Sequence, residues 1–512
     1  MAQPSQPGNQ GDALQPESFV QSAPAITAKT VGHALSWAGA GQLASRISWF
    51  GSLFVLAALV PPAAFGTVTA ALVVTSTATL LVGSGTRGAV ITSERLTTGH
   101  LRYALRRNVS IGVVVTATVV ALANPIVAEL LPGADATVLR WLMISVGLHA
   151  LAVVPLAVLQ KNMQFRREAS IVVGATMISA VAAIVAAVLG AGIWAIVLRQ
   201  VLVSVVEVTL AWIAARRYLP GARRLIGRGE RPTGGRGRSA RWFFLVSLFS
   251  LAAMSADYVV VGRLVGASDL GLYSIAFALG FAPLTHLAWW LGGVLLPAAA
   301  ATPDLDLLAQ RTLRAMRVMA LVLVPLVVPA LVLAPWLLPL TLGERWAGSV
   351  VVFQILFPVG VAHAVLNSVG ESLGGSGNVK LHAQMLALWT VVILPALLVL
   401  VEVDGIRGAA MAHVLVLFPV AAGYLLLGAR RLGLPTLRLV RGLAAVGPPF
   451  LAQLAVTLAG LGLLAGAGAP DALARVAGVA VGLGAGIGML FLLPSGPLLE
   501  ARTFMATARQ RS

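Results

Sequence analysis

Fourteen stretches of this chain, each about twenty residues long, are apolar enough to be stable in lipid, and that repetition leaves few folds open. They lie near 36–57, 64–84, 109–131, 138–159, 169–189, 193–214, 242–262, 268–290, 318–340, 350–368, 381–400, 408–428, 442–464 and 474–493. A helix needs about 20 residues to cross the hydrocarbon of a bilayer. Backbone N–H and C=O groups find no water there, so each segment must satisfy its own as a helix. Only 11% of the 512 residues are charged and mean hydropathy is +0.91. A soluble protein carries roughly 25% charge, so most of this surface meets lipid. The first stretch is the least apolar, because Gln42, Ser45, Arg46 and Ser48 interrupt it, and a count of twelve or thirteen also fits. The absence of cysteine excludes disulfides, thiolate metal sites and cysteine nucleophiles.

A net charge of +18 would point to nucleic acid in a soluble protein, but in a membrane protein arginine sets orientation. With the amino terminus placed in the cytoplasm, 29 of the 36 Lys and Arg residues fall in inside segments and 4 in outside loops. The other three, Arg46, Arg140 and Arg199, fall within spans. That asymmetry predicts two cytoplasmic termini. The run RRYLPGARRLIGRGERPTGGRGRSAR at 216–241 reads as a linker on an anionic lipid surface rather than a nucleic-acid arm. No basic region precedes a short apolar core at the amino terminus, so no cleavable signal peptide is expected.

The expected organisation is a disordered tail over 1–30, an N-lobe of six helices over 31–218 and a basic linker over 219–241. A C-lobe of six helices over 242–430 follows, then two further helices and a tail over 431–512. An internal repeat supports the two lobes. LVPPAAFGTVTAAL from Leu59 and LVGASDLGLYSIAF from Leu264 align at a constant offset that equates Gly66 with Gly271. VGLHA at 146–150 and VGVAHA at 359–364 form a second pair, equating His149 with His363. Both pairs are six spans apart, so the copies share one orientation, a transporter architecture.

The stretch SRISWFGSLFVLAALVPPAAFGTVTAAL resembles the opening of bacterial polysaccharide-biosynthesis (Wzx-type) flippases, with Ala64 at the family's usual acidic position. LQKNMQFRREAS (159–170) and GIWAIVLRQ (192–200) are similar to its fourth-helix loop and sixth helix. ADYVVVGRLVGASDLGLYSIAFAL (256–279), LGERWAGSVVVFQIL (342–356) and GGSGNVKLH (374–382) resemble later segments in the same order. The resemblance implies the all-α fold of the multidrug/oligosaccharidyl-lipid/polysaccharide (MOP) exporters, with about 14 transmembrane helices in two parallel lobes.

An ionisable residue at bilayer depth costs roughly 2.5–3.5 kcal/mol on insertion scales, so each needs a partner or a wet cavity. Arg46, near mid-span, is either a cavity cation for the phosphates of a lipid-linked substrate or half of a buried structural pair. Cavity arginines in the first helix of the flippases it resembles add to the first reading. Arg199, a further candidate substrate contact, and Asp257 lie at similar depth on the sixth and seventh spans and are candidates to pair across the lobes. Glu207 is a candidate for proton or sodium coupling, as is Asp257. His149 and His363 are candidate substrate contacts, against the alternative of packed, hydrogen-bonded histidines. Trp289, Trp290 and Trp336 read as interfacial anchors, and prolines within spans as candidate hinges.

The function expected is transport of a polyprenyl-diphosphate-linked oligosaccharide between leaflets, without a cofactor. Its partners would be that lipid, the bilayer, a coupling ion (H+ or Na+) and polysaccharide-assembly proteins. A polymerase or ligase would need a folded outer loop bearing acid–base residues, and the longest expected here is about ten residues with no such cluster. A drug antiporter of the MATE type would need coupling carboxylates and an aromatic cavity, whereas 6% of residues are aromatic and the spans hold few acids. No P-loop is present.

Overall fold

The computed structural model describes residues 28–83, 86–92, 96–219, 240–300, 302–444 and 446–492. The amino-terminal tail before residue 28, the basic linker over 220–239 and the carboxy-terminal tail lie outside them. The first half contains α1 (Ala28–Leu59), α2 (Pro62–Gly83), α3 (Thr86–Thr92), α4 (Thr98–Ala121), α5 (Ala123–Leu130), α6 (Thr137–Lys161), α7 (Phe165–Val188) and α8 (Ile193–Ala215). The second contains α9 (Ala240–Val265), α10 (Ala267–Gly280), α11 (Ala282–Ala300), α12 (Leu305–Leu323), α13 (Val327–Leu342), α14 (Ser349–Gly375) and α15 (Val379–Gly423). The short α16 (Ala429–Arg431) and α17 (Thr436–Ala444) then lead into α18 (Gly447–Gly466) and α19 (Asp471–Leu492).

Prolines set several breaks between these helices, because each removes an amide donor and crowds the carbonyl four residues back. Pro125 follows the α4–α5 break, Pro283 the bend of 40° between α10 and α11, and Pro325 lies in the 3-10 turn between α12 and α13. The apolar stretch Val379–Arg431 is 53 residues long. Straight, it would reach about 80 Å. It is two crossings, because Asp404 and Gly405 leave helical geometry, with Gly405 at a φ of +54°. A Cβ on Gly408 would meet the carbonyl of Leu400, which is how closely the chain doubles back. Among the described residues, eleven helices are long and apolar enough to cross a membrane, and α10–α11 as one bent crossing makes twelve; dividing Val379–Arg431 in two and adding α1 gives the fourteen expected from the sequence. The protein is an all-α, multi-pass membrane protein.

Within the N-lobe α1 packs on α7, α7 on α8, and α6 on α2, α4 and α8. In the C-lobe α14 is central, packed by α10, α11, α12, α13 and α15, while α9 lies along α15. The pair α18–α19 leans on α13, where buried Gln453 donates to the Pro325 carbonyl at 2.8 Å.

Among the described residues, the main contacts between the lobes lie toward one end. One apolar core runs through both, drawing from the N-lobe residues between 53 and 82, 123 and 150, and 183 and 197. A second, separate core joins Leu101, Leu156, Leu159, Ile171, Ala211 and Ala215 at the other end, and it is built from N-lobe residues alone. Contacts between lobes run from α2 to α9 and α10, from α5 to α9, and from α1 to α13. All sit at the end where α1 stops and α2 starts, hereafter the closed end. α11 and α12, toward the other end, pack on α14 and on each other. The result is a two-lobed bundle, joined most extensively at the closed end.

Backbone-to-backbone contact makes the closed end tight. A Cβ on Gly66 would run into the Ala267 carbonyl and the Gly271 amide, and one on Gly271 into Pro62. The two glycines equated by the sequence repeat therefore face each other across the lobe boundary. Nearby, Trp346, in the turn after α13, donates from Nε1 to the Ala57 carbonyl at 2.9 Å and stands edge-on to Phe65. Arg345 caps the end of α1, donating to the carbonyls of Ala57 and Ala58. Glu129 and Arg263 form an ion pair of 2.7 Å whose side chains are 71% and 47% exposed. Such solvated pairs are worth about 0–1 kcal/mol. Glu129→Gln is therefore expected to lower thermal stability by no more than about 1 kcal/mol, measured side by side with the parent. A larger loss would make this pair part of the closure.

Candidate functional site

Polar side chains that a lipid-facing surface would not tolerate lie near the lobe boundary and within each lobe. Arg46 sits on α1 and is partly buried, and its charge reaches His286 on α11 across the boundary between the lobes. Among the described residues its guanidinium has no ion-pair partner. His286 stands edge-on to Trp289, with ring centroids 5.2 Å apart. Trp289 is nearly half exposed, whereas the side chain of Trp290 lies outside the described residues.

Arg199 does not pair with Asp257. α8 turns Arg199 toward α1 of its own lobe, where the guanidinium lies over the Trp49 ring, 5.7 Å from its centroid. Its Nε is buried and, among the described residues, has no hydrogen-bond partner. Asp257 turns the other way, into the C-lobe, and is fully buried. Tyr273 donates to its Oδ2 at 2.7 Å, the Tyr258 amide donates to its Oδ1 at 2.9 Å, and His413 Nε2 lies 3.3 Å from Oδ2. The expected bridge between lobes is replaced by a cation–π contact in one lobe and a carboxylate–imidazole pair in the other. A carboxylate finds several donors inside its own lobe, so nothing drives it across the boundary.

A second polar group lies at the other end of the N-lobe. Arg87 donates from Nε to Gln160 Oε1 at 2.8 Å and pairs with Glu168 at 3.1 Å, while Gln160 donates to Glu168 at 2.6 Å. His149 and Glu207 belong to the same neighbourhood: both feel the charge of Arg87, and Glu207 also that of Glu168. His149 lies 3.8 Å from where a Cβ on Gly83 would be. His363 is elsewhere, inside the C-lobe, between Phe281 and Trp389 at 5.3 and 5.2 Å. The two histidines equated by the repeat thus have unlike surroundings. The six candidates form no single cluster; they divide among the lobe boundary, the N-lobe network and the C-lobe interior.

Three residues escaped the sequence reading. His413 is fully buried beside Asp257, and His382 accepts from or donates to the Tyr424 hydroxyl at 2.9 Å. Glu371, on α14, lies against Gly292 of α11 and 3.4 Å from Asn367. One signal was present for His413. A buried acid such as Asp257 demands a donor, and few polar side chains interrupt the apolar run AAMAHVLVLFPV. Tyr424 begins a π-helical turn, Tyr424–Gly428, a local irregularity that sequence alone does not reveal.

Comparison with known proteins agrees with this architecture. The chain is 23% identical over 374 residues to "Lipopolysaccharide biosynthesis protein WzxC" of Escherichia coli (strain K12), covering 71% of this chain and 73% of that protein. It is 26% identical over 339 residues to "Succinoglycan biosynthesis transport protein ExoT" of Rhizobium meliloti (strain 1021), covering 63% and 65%. The fold is similar to that of the lipid II flippase MurJ in an inward closed conformation. The TM-score is 0.69 at 11% identity, over 89% of this chain and 98% of that one. Residues 55–351, more than half of the sequence, match the family described as "Polysaccharide biosynthesis protein". On that match, the chain is a member of the polysaccharide biosynthesis protein family, a Wzx-type branch of the MOP exporter superfamily.

Proposed function

We propose that this protein moves a polyprenyl-diphosphate-linked oligosaccharide from the cytoplasmic to the outer leaflet of a bacterial inner membrane. The names of its relatives, a lipopolysaccharide biosynthesis protein and a succinoglycan biosynthesis transport protein, support that substrate class. The observation that carries the proposal is the two-lobed packing, in which one apolar core draws on both lobes while a second is built from N-lobe residues alone. The distribution of arginine supports an α1–α2 turn on the outside, with the other end toward the cytoplasm, where a lipid-linked glycan is made. A sugar headgroup cannot cross hydrocarbon unaided, since each unpaired polar group costs several kcal/mol there. A cleft between the lobes lets the headgroup stay among polar side chains while the lipid tail remains in the bilayer. Alternate opening at the two ends then exposes it to the other face.

In this reading Arg46 meets the diphosphate, since it is a partly buried cation near mid-span with no ion-pair partner among the described residues. Deletion of the gene is expected to trap lipid-linked oligosaccharide on the inner leaflet, measured by lipid extraction and surface labelling. Unchanged lipids together with drug sensitivity would favour an antiporter instead. Arg46→Ala is expected to lower glycan export roughly ten- to hundredfold, from the loss of about 1.5–3 kcal/mol of charge-assisted hydrogen bonding. Arg46→Lys, which keeps the charge and loses the planar fork, falls between. Normal export by both variants at parental abundance rules the phosphate role out.

A further inference from the structure

The C-lobe holds a titratable site that the passage of a glycan does not require. Asp257, His413 and His363 lie on α9, α15 and α14, and the first two are fully buried. His363 and His413 share two walls: Phe281 lies 5.3 and 5.8 Å from their rings, and Trp389 5.2 and 6.1 Å. The Nδ1 atom of each is buried and, among the described residues, has no hydrogen-bond partner. An unmade hydrogen bond costs about 1–3 kcal/mol, and two of them in one small volume need a reason.

We propose that this is the proton-binding site through which transport is driven, with His413 as the proton carrier, Asp257 as its counter-charge and His363 as the next station. The proposal rests on the flippase reading and adds the coupling ion and its residues. The neighbours of the carboxylate decide between a proton and a metal cation. Sodium or another hard cation needs several oxygen ligands. Here the Tyr273 hydroxyl and the Tyr258 amide both donate to Asp257, and the third neighbour is an imidazole nitrogen. Donors surround an anion, and imidazole supplies the proton.

Proton uptake converts neutral His413 to imidazolium, whose Nε2–H donates to Asp257 Oδ2. Release returns the neutral ring and leaves the carboxylate held by Tyr273 and the Tyr258 amide alone. The groups facing the pair are Tyr258 from α9, Tyr273 from α10 and His363 from α14, with His382 of α15 farther away and bonded to Tyr424. α2 also packs on α9 and has no acidic or basic residue, while Glu129 of α5 is exposed and taken by Arg263. Five residues beyond Asp257, Gly262 abuts the Leu130 carbonyl of the other lobe. A change of charge at Asp257 therefore bears on a helix that forms part of the closed end.

The test is the current evoked by a pH jump across liposomes holding the full-length protein and no glycolipid, recorded on a solid-supported membrane. The parent protein is expected to give a transient charge displacement. Asp257→Asn and His413→Asn should cut it at least tenfold, and His363→Asn two- to fivefold. Where a variant loses its monodisperse elution, the other two decide. A sodium jump at constant pH that evokes the current overturns the proposal. So does an unchanged pH response in folded His413→Asn, or loss of the response in Glu207→Gln alone, which would move the proton to the N-lobe. Glycan export in cells separates the two readings. Export that depends on the gene while the pure parent protein gives no current sinks the proton site and leaves the flippase. A current with export unaffected by deletion does the reverse.

Discussion

Gly271→Leu is expected to pull the closed end apart and lower glycan export at least tenfold. The cause is local. A Cβ at this position meets the carbonyl and Cα of Pro62, which are backbone atoms that no side-chain rotation can move. Overpacking typically costs about 1–3 kcal/mol, and a clash with backbone belongs at the upper end. That cost falls only on the state in which α2 and α10 touch. A carrier with two arrangements a few kcal/mol apart responds by population shift, and about 3 kcal/mol changes their ratio more than a hundredfold. The chain has no cysteine, so spin labels can be placed without background. Labels at Asp135→Cys and Ala347→Cys, both exposed at the closed end, should move apart in Gly271→Leu. Labels at Ser170→Cys and Asp306→Cys, at the other end, should approach. Gly462→Leu, with nothing near its Cβ, is the control. Unchanged distances in Gly271→Leu would mean that the glycine contact does not set the closed arrangement.

Gly271 also marks how far the sequence could be read. The spans were legible because a hydrocarbon slab about 30 Å thick imposes its length on every crossing, whatever the fold. The two lobes were legible through Gly66 and Gly271, since a repeat in sequence is a repeat in space. That the two glycines would touch each other was not. Which pair of repeated elements meets at the boundary depends on how the helices of both lobes pack into the shared core, and no local spacing records it. The site divides in the same way. Arg46 stood out because a lone cation at mid-depth is costly wherever it lies. The bridge from Arg199 to Asp257 failed because depth and helix order say nothing about the direction in which a side chain turns. Trp49 and His413 each gave a nearer solution within one lobe. His413, Tyr273 and Asp257 come from three helices and meet only in the folded lobe, so each alone reads as an ordinary polar residue in an apolar run.

Trp346→Ala is expected to release the closed end from the other side of the boundary. Its ring is fully buried, stands edge-on to Phe65 of α2 at 5.4 Å and donates to the last turn of α1. α1 has to end there, because Pro61 and Pro62 cannot continue it, and its terminal carbonyls need outside donors. Arg345 and Trp346 supply them from the C-lobe, and a cation also suits the negative end of a helix dipole. Truncating a buried tryptophan costs about 3–5 kcal/mol, and here much of that joins one lobe to the other. Trp389 offers the matched comparison, because it too is fully buried but is packed wholly within the C-lobe. Both alanine variants should lose thermal stability. Only Trp346→Ala should lengthen the distance between labels at Asp135→Cys and Ala347→Cys and cut export by roughly a hundredfold. Trp346→Phe keeps the edge-on ring and drops the N–H donor, so its loss should be near tenfold, about 1.4 kcal/mol. If Trp389→Ala shifts the label distances as far as Trp346→Ala does, general loosening explains both, and the tryptophan is no latch. If Trp346→Ala alone moves them, the turn after α13 holds the closed end together.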